Sequence, residues 1–258
     1  MTSRLAAIAL NTFREAVRDR VLYNLILFVL LLVASAPLFS QISIGMERMI
    51  LVNVALSSIS LFGVIIAIFI GIGLVSKEIE KKTLYTILSR PVRRWEFIVG
   101  KYLGLMVTLV VNALLMTAGF YLALLITAHG LKKTDALLLV AVYFTILQFL
   151  MVTAITLLFS SFSTPIFSAI FAFALFVIGT FAEDLRTFAT MSHGATKWVV
   201  SAVAYIVPNF ASLNVIAQVG YGQPVGGRMI VLNTLYALFY SAAVAAAAVM
   251  VFERRNLK

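Results

Sequence analysis

Cysteine is absent from the 258 residues, histidine occurs only twice, and ten acids face twenty basic residues. Without cysteine there is no disulfide framework, no thiolate nucleophile and no Cys-based metal site. His129 and His193 are too few for haem ligation or a multi-His metal centre. Charged residues are also scarce, at 12%, where an ordinary soluble domain carries about a quarter. None falls unambiguously in the middle of an apolar run, which weighs against an ion-coupled carrier with ionisable groups at the membrane midplane. An intramembrane enzyme is short of parts for the same reason. Glu183, Asp184, Arg186 and His193 offer carboxylates and a base outside the spans, but acids are equally at home at a helix start.

What the chain has instead is grease: 62% hydrophobic residues and a mean hydropathy of +1.07. Several separate runs approach the ~20 residues that cross a bilayer, and none alternates as barrel strands do. The expected fold class is therefore all-α integral membrane with six transmembrane helices. The spans are expected at 21–39, 49–75, 102–128, 136–159, 166–182 and 229–252. Residues 2–20 precede them. Within 5–17, Leu5, Ile8, Ala9, Thr12, Phe13 and Ala16 share one helical face with Ala6 and Val17. Arg4, Asn11, Arg14, Glu15 and Arg18 take the other. This predicts an amphipathic interfacial helix facing lipid phosphates through Arg4, Arg14 and Arg18, with Phe13 on the apolar side; the plainer alternative is an extension of the first span. The first twenty residues lack the uninterrupted apolar core of a secretory signal. Residues 183–228 are external and half apolar, and Pro208-Asn209 breaks them. They are expected to be broken, re-entrant helices before the sixth span, the alternative being a seventh span.

The Lys/Arg distribution sets orientation. If both termini and the 77–101 connection share a side, that side holds fourteen basic residues and the other six. Both termini are accordingly expected in the cytoplasm. The net charge of +10 then reflects cytoplasmic loops and anionic headgroups and calls for no nucleic acid. Asn53, Asn112 and Gln148 are the strongest polar residues in or near spans. They are weak pathway candidates, and hydrogen bonding between helices accounts for them equally.

Between the second and third expected spans the pattern changes. "KEIEKKTLYTILSRPVRRWEFIVGK", 77–101, packs in seven of the basic residues and three acids. Glu78 precedes Lys82 by four, the favourable order on a helix, and Leu84, Ile87 and Leu88 share a face. Pro91 ends that helix, because it lacks a donor and disfavours helical geometry at Arg90. A rigid amphipathic elbow of this kind is a surface for another protein; enforcing topology against headgroups is the alternative.

The stretch 73–104 resembles the region after the second span of ABC-2-type ABC transporter permeases. There, E-x-E-x-x-T-L is followed by L-S-x-P-V-x-R-x-x-F-x-x-G-K. Glu78, Glu80, Thr83, Leu84, Leu88, Ser89, Pro91, Val92, Arg94, Phe97, Gly100 and Lys101 occupy those places. The layout of spans and the F-E-R-R-N-L ending are similar too, most of all to short permeases of the nitrous oxide reductase maturation type. The resemblance implies a coupling helix at 77–98 that docks in a separate ABC-type ATPase. Glu78, Ile79, Glu80, Lys81, Lys82, Thr83, Leu84, Ile87, Leu88, Arg90, Pro91 and Arg94 would make that contact. It further implies two ATPase copies, a second permease copy (homodimer or related heterodimer) and surrounding membrane lipid. ATP and Mg would reside in the partner, this chain carrying no cofactor. The implied setting is a bacterial cytoplasmic membrane and the implied activity ATP-driven export. The residues agree on one point: Gly100-Lys101 is followed by Tyr102, and Trp95 stands where a P-loop needs its leading glycine, so this chain has no P-loop to cradle ATP.

Overall fold

Backbone at membrane depth must satisfy its own hydrogen bonds, and helices do so within one segment. The computed structural model describes residues 2–17, 27–28, 47–80, 94–127, 130 and 132–254, with helices and no strands among them. Nine α-helices follow in order: α1 Thr2–Ala16, α2 Glu47–Glu80, α3 Arg94–Thr127, α4 Leu138–Phe162, α5 Pro165–Thr180, α6 Ala182–Met191, α7 Gly194–Ile206, α8 Ile216–Gly220 and α9 Gly227–Arg254. Arg48–Gly73, Trp95–Ile126, Asp135–Phe162 and Gly227–Arg254 are each long and apolar enough to cross a membrane.

Two further helix pairs are bent. Pro165 opens α5 at its first turn, where the missing N–H costs nothing. At 16 residues, α5 reaches only ~24 Å at 1.5 Å per residue, short of the ~30 Å hydrocarbon core. It joins α6 at a 58° bend, and Thr196–Ile206 meets Ala211–Gly220 at 46°. The broken character expected of 183–228 is thus present. The expected first span, 21–39, lies outside the described residues except 27–28. Phe28 is fully buried there, its ring edge-on to Phe62 of α2 with centroids 6.4 Å apart.

Cross-contacts fix the directions. The Phe149 ring of α4 fills the space over Gly63 of α2, where a Cβ would fall 1.9 Å from Cζ. A Cβ on Gly71 would meet Thr156 at 2.9 Å and Leu105 of α3 at 3.2 Å. Ser160 Oγ donates to the Ile72 carbonyl at 3.5 Å. So α2 and α4 run parallel, their backbones brought close by small residues. Tyr143 and Thr234 hydroxyls meet at 2.7 Å, placing α9 parallel to α4, while α3 and α5 run the opposite way. Buried hydroxyls mostly turn back on their own helix. Thr108 donates to Gly104 O, Thr145 to Ala141 O and Thr156 to Val152 O, at 2.8–2.9 Å, which satisfies these hydroxyls within their own helices.

The consequence is two chemically distinct ends. The proximal end holds α1, the last turns of α2, α4 and α9, and the starts of α3 and α5. The distal end holds the starts of α2, α4 and α9. There the Arg48 guanidinium pairs with the Asp135 carboxylate and donates to Gly130 O at 3.2 Å. Asp135 also accepts the Lys132 N–H at 2.7 Å, and Tyr121 donates to Asp135 O at 2.6 Å. One carboxylate therefore ties α2 to the turn between α3 and α4.

Candidate coupling site at the foot of the bundle

The two helices that flank the charged elbow run well beyond the spans read from composition. Lys77, Glu78, Ile79 and Glu80 continue α2 without a break, and Arg94 is the first residue of α3. Charged residues leave the apolar run but do not interrupt i to i−4 bonding, so the hydropathy edge is not the helix edge. The other docking candidates (Lys81, Lys82, Thr83, Leu84, Ile87, Leu88, Arg90 and Pro91) lie outside the described residues, as does Arg18 of the interfacial set.

Where α3 emerges, α1 is seated on it. Thr12 and Ala16 are fully buried and Arg4 and Arg14 exposed, with Phe13 half-buried. The seat is a pair of glycines one turn apart. A Cβ on Gly100 would lie 2.6 Å from Ile8 Cγ2, and one on Gly104 would lie 2.5 Å from both Ala9 O and Thr12 Cβ. Only glycine permits so close an approach, the small-xxx-small arrangement of membrane helix pairs. Thr12 returns its hydroxyl to Ile8 O at 2.9 Å. Leu10 remains 50% exposed and Val17 37%, so the outer side of α1 keeps apolar surface that α3 does not cover.

An ion pair closes the contact. Lys101 is 2% exposed, and its Nζ lies 3.4 Å from Glu15 Oε2 and 5.5 Å from the centre of the Phe97 ring. Phe97 stacks on Phe252 of α9 at 5.9 Å and 19°, within a small cluster completed by Ile98, Leu157 and Ala248. The F-x-x-G-K ending of the sequence motif thus has three structural jobs: Phe97 ties α3 to α9, Gly100 admits α1, and Lys101 fastens it. Glu15, assigned by periodicity to the polar face, turns toward α3 instead. Nothing in the sequence pointed to the pairing of Glu15 with Lys101 or of Phe252 with Phe97, since the partners are 86 residues apart or further. The spacing of Gly100 and Gly104 was the one legible signal.

The pathway candidates separate. Asn53 abuts α8, where a Cβ on Gly220 would be 2.7 Å from its Oδ1. Gln148 accepts from Ser60 at 3.3 Å. Asn112 is buried on α3, and both its polar side-chain atoms lack partners. Glu183 and Asp184 occupy the first turn of α6, where the helix dipole favours acids, while Arg186 lies over the Tyr205 ring at 5.8 Å. His193 is the N-cap of α7. No grouping of three or more metal-ligating residues occurs among the described residues.

Long apolar helices with a polar clamp at one end and bent segments at the other define a multi-pass helical membrane protein. The family follows from comparison: the chain belongs to the ABC-2 family transporter proteins, whose model matches residues 6–257. Among curated proteins, none matches it significantly. Membership makes the chain a membrane permease component of an ABC transporter, the part that works with an ABC ATPase and is not itself one. The match covers the elbow, the clamp and the bent distal region together.

Proposed function

We propose that this chain couples ATP hydrolysis in separate ATPase subunits to export of a substrate across a bacterial cytoplasmic membrane. The elbow at 77–98 is the handle that the ATPase grips. The observation that carries this reading is the construction of the foot: α2 and α3 both run through it into the elbow, and α1 and α9 are fastened to α3 within two turns of Arg94. Displacement of the elbow then moves a braced unit instead of bending a loop, as rigid-body switching between packed states requires. In the working assembly, two copies of this chain, or one and a relative, face two ATPases, with ATP and Mg held by the latter. The basic proximal end faces the cytoplasm, consistent with its Lys/Arg excess.

The test is reconstitution of the chain with its ATPase in proteoliposomes. Glu80→Ala and Leu84→Ala are expected to lower membrane-dependent stimulation of ATP hydrolysis at least tenfold while insertion is unchanged. Stimulation equal to that of the unsubstituted chain in both variants rejects the elbow as the docking element. An ion-coupled carrier would instead support proton- or sodium-driven flux with no ATPase present.

A further inference from the structure

In the distal half of the bundle, between α2, α4 and α5, lies a half-open cavity of about 190 Å³ lined by Ser57, Ser60, Gln148, Thr180, Phe210 and Asn214 among others. Its roof is held in place. The Asn209 N–H donates to the Tyr236 hydroxyl at 2.8 Å, the Phe210 N–H to Gly179 O at 3.0 Å, and Asn233 Nδ2 to Ser212 O at 3.2 Å. Gly179 lets the roof pass close, since a Cβ there would sit 2.5 Å from Pro208 O. Phe176 and Phe210, with ring centroids 5.3 Å apart, form one wall.

Among the described residues the lining contains hydroxyls, amides and aromatic rings but no ionisable side chain. Gln148 is only 7% exposed. Its Oε1 accepts from Ser60, and its amide carries two further donors on Nε2. Ser57 and Asn214 are exposed at the cavity, Asn214 accepting the Ile216 N–H through its Oδ1. A ligand acceptor brought to these amide and hydroxyl donors completes a hydrogen bond there. An ion gains no counter-charge here and loses its hydration. The volume equals about six waters at ~30 Å³ each, room for one ring-sized head group.

We propose that this cavity binds the head group of an uncharged amphiphile: acceptors on one edge meet Gln148, Ser57 and Asn214, while a flat apolar side lies on Phe176 and Phe210. This goes beyond the coupling reading and does not depend on it, because binding requires no ATPase. The chain's lack of cysteine makes a clean test available. Thr180→Cys is introduced at the rim of the full chain in nanodiscs, and its alkylation by N-ethylmaleimide is timed. The added probes are octyl glucoside, octyl sulfate or octyltrimethylammonium, each below its micellar concentration. Octyl glucoside is expected to slow alkylation at least fivefold, and the two charged probes, with the same tail, less than twofold. Adding Gln148→Leu is expected to abolish protection without changing the unprotected rate. Equal protection by the charged probes, absence of protection, or protection that survives Gln148→Leu each overturns the assignment. All three outcomes leave the ATPase-coupling reading standing.

Discussion

Lys101, buried in the first turns of α3, reaches the Glu15 carboxylate of α1 at 3.4 Å, so the basic residue that closes the elbow motif fastens one helix to another. A residue that the sequence offered only as a position of the family motif, outside the expected docking set, is part of an internal clamp in the folded chain. At the foot, α3 is tied down on two sides, by α1 through Glu15 and by α9 through Phe252.

Removing the carboxylate exposes the value of that tie. Glu15→Gln leaves Lys101 buried with a weakened partner; losing one member of a buried pair costs up to ~3–5 kcal/mol, less where the partner is partly exposed, as Glu15 is at 31%. A cysteine at Thr12, fully buried on the face of α1 that packs on α3, reports undocking. Its maleimide reactivity should rise by at least tenfold, equivalent to ~1.4 kcal/mol. Lys101→Met, which keeps the apolar stem and removes the buried charge, should raise it far less.

The α2–α4 contact makes a sharper prediction. Gly63→Ala places a methyl 1.9 Å from Phe149 Cζ and must displace the ring or the helix, an overpacking cost of ~1–3 kcal/mol. Thermal unfolding in detergent should show a clear fall in Tm. Adding Phe149→Leu should restore much of it, because residues in contact couple where distant ones add. Gly226→Ala, with nothing within 4 Å of the new Cβ, serves as the control and should leave Tm unchanged.

At the distal end, Arg48 and Asp135 form a brace between α2 and the α3–α4 turn. Arg48→Met strands a carboxylate that is 7% exposed and retains the Lys132 N–H. The expected loss is ~2–4 kcal/mol, the penalty of an uncompensated buried charge. Asp135→Asn should cost less, since it leaves the Arg48 charge at 22% exposure within reach of water. Urea or thermal unfolding of the two variants side by side measures the order; the reverse order contradicts the brace.

Much of this architecture is legible in sequence because lipid writes it plainly. Apolar runs of bilayer length place α2, α3, α4 and α9, and Pro208-Asn209 marks the distal break. The ends are less legible. Hydropathy stops near Val75, whereas α2 continues through Glu80, because helical bonding does not require apolar side chains. Tertiary pairings are the hardest to see: nothing local distinguishes Glu15 from the other polar residues of α1, and its role emerges only when Gly100 and Gly104 bring α1 against Lys101. Of the three pathway candidates only Gln148 enters the distal cavity, and its importance lies in Ser60 and Asn214 being there as well.

The most direct measurement is site-directed crosslinking between the chain and its ATPase in the membrane. A single cysteine at Leu84, joined by a short bifunctional reagent to surface cysteines of the ATPase, is predicted to give an adduct whose yield changes with ATP, while a cysteine at Asn214 gives none. An adduct from Asn214 but not from Leu84, or none from Leu84 in a transporter that is hydrolysing ATP, would contradict the account.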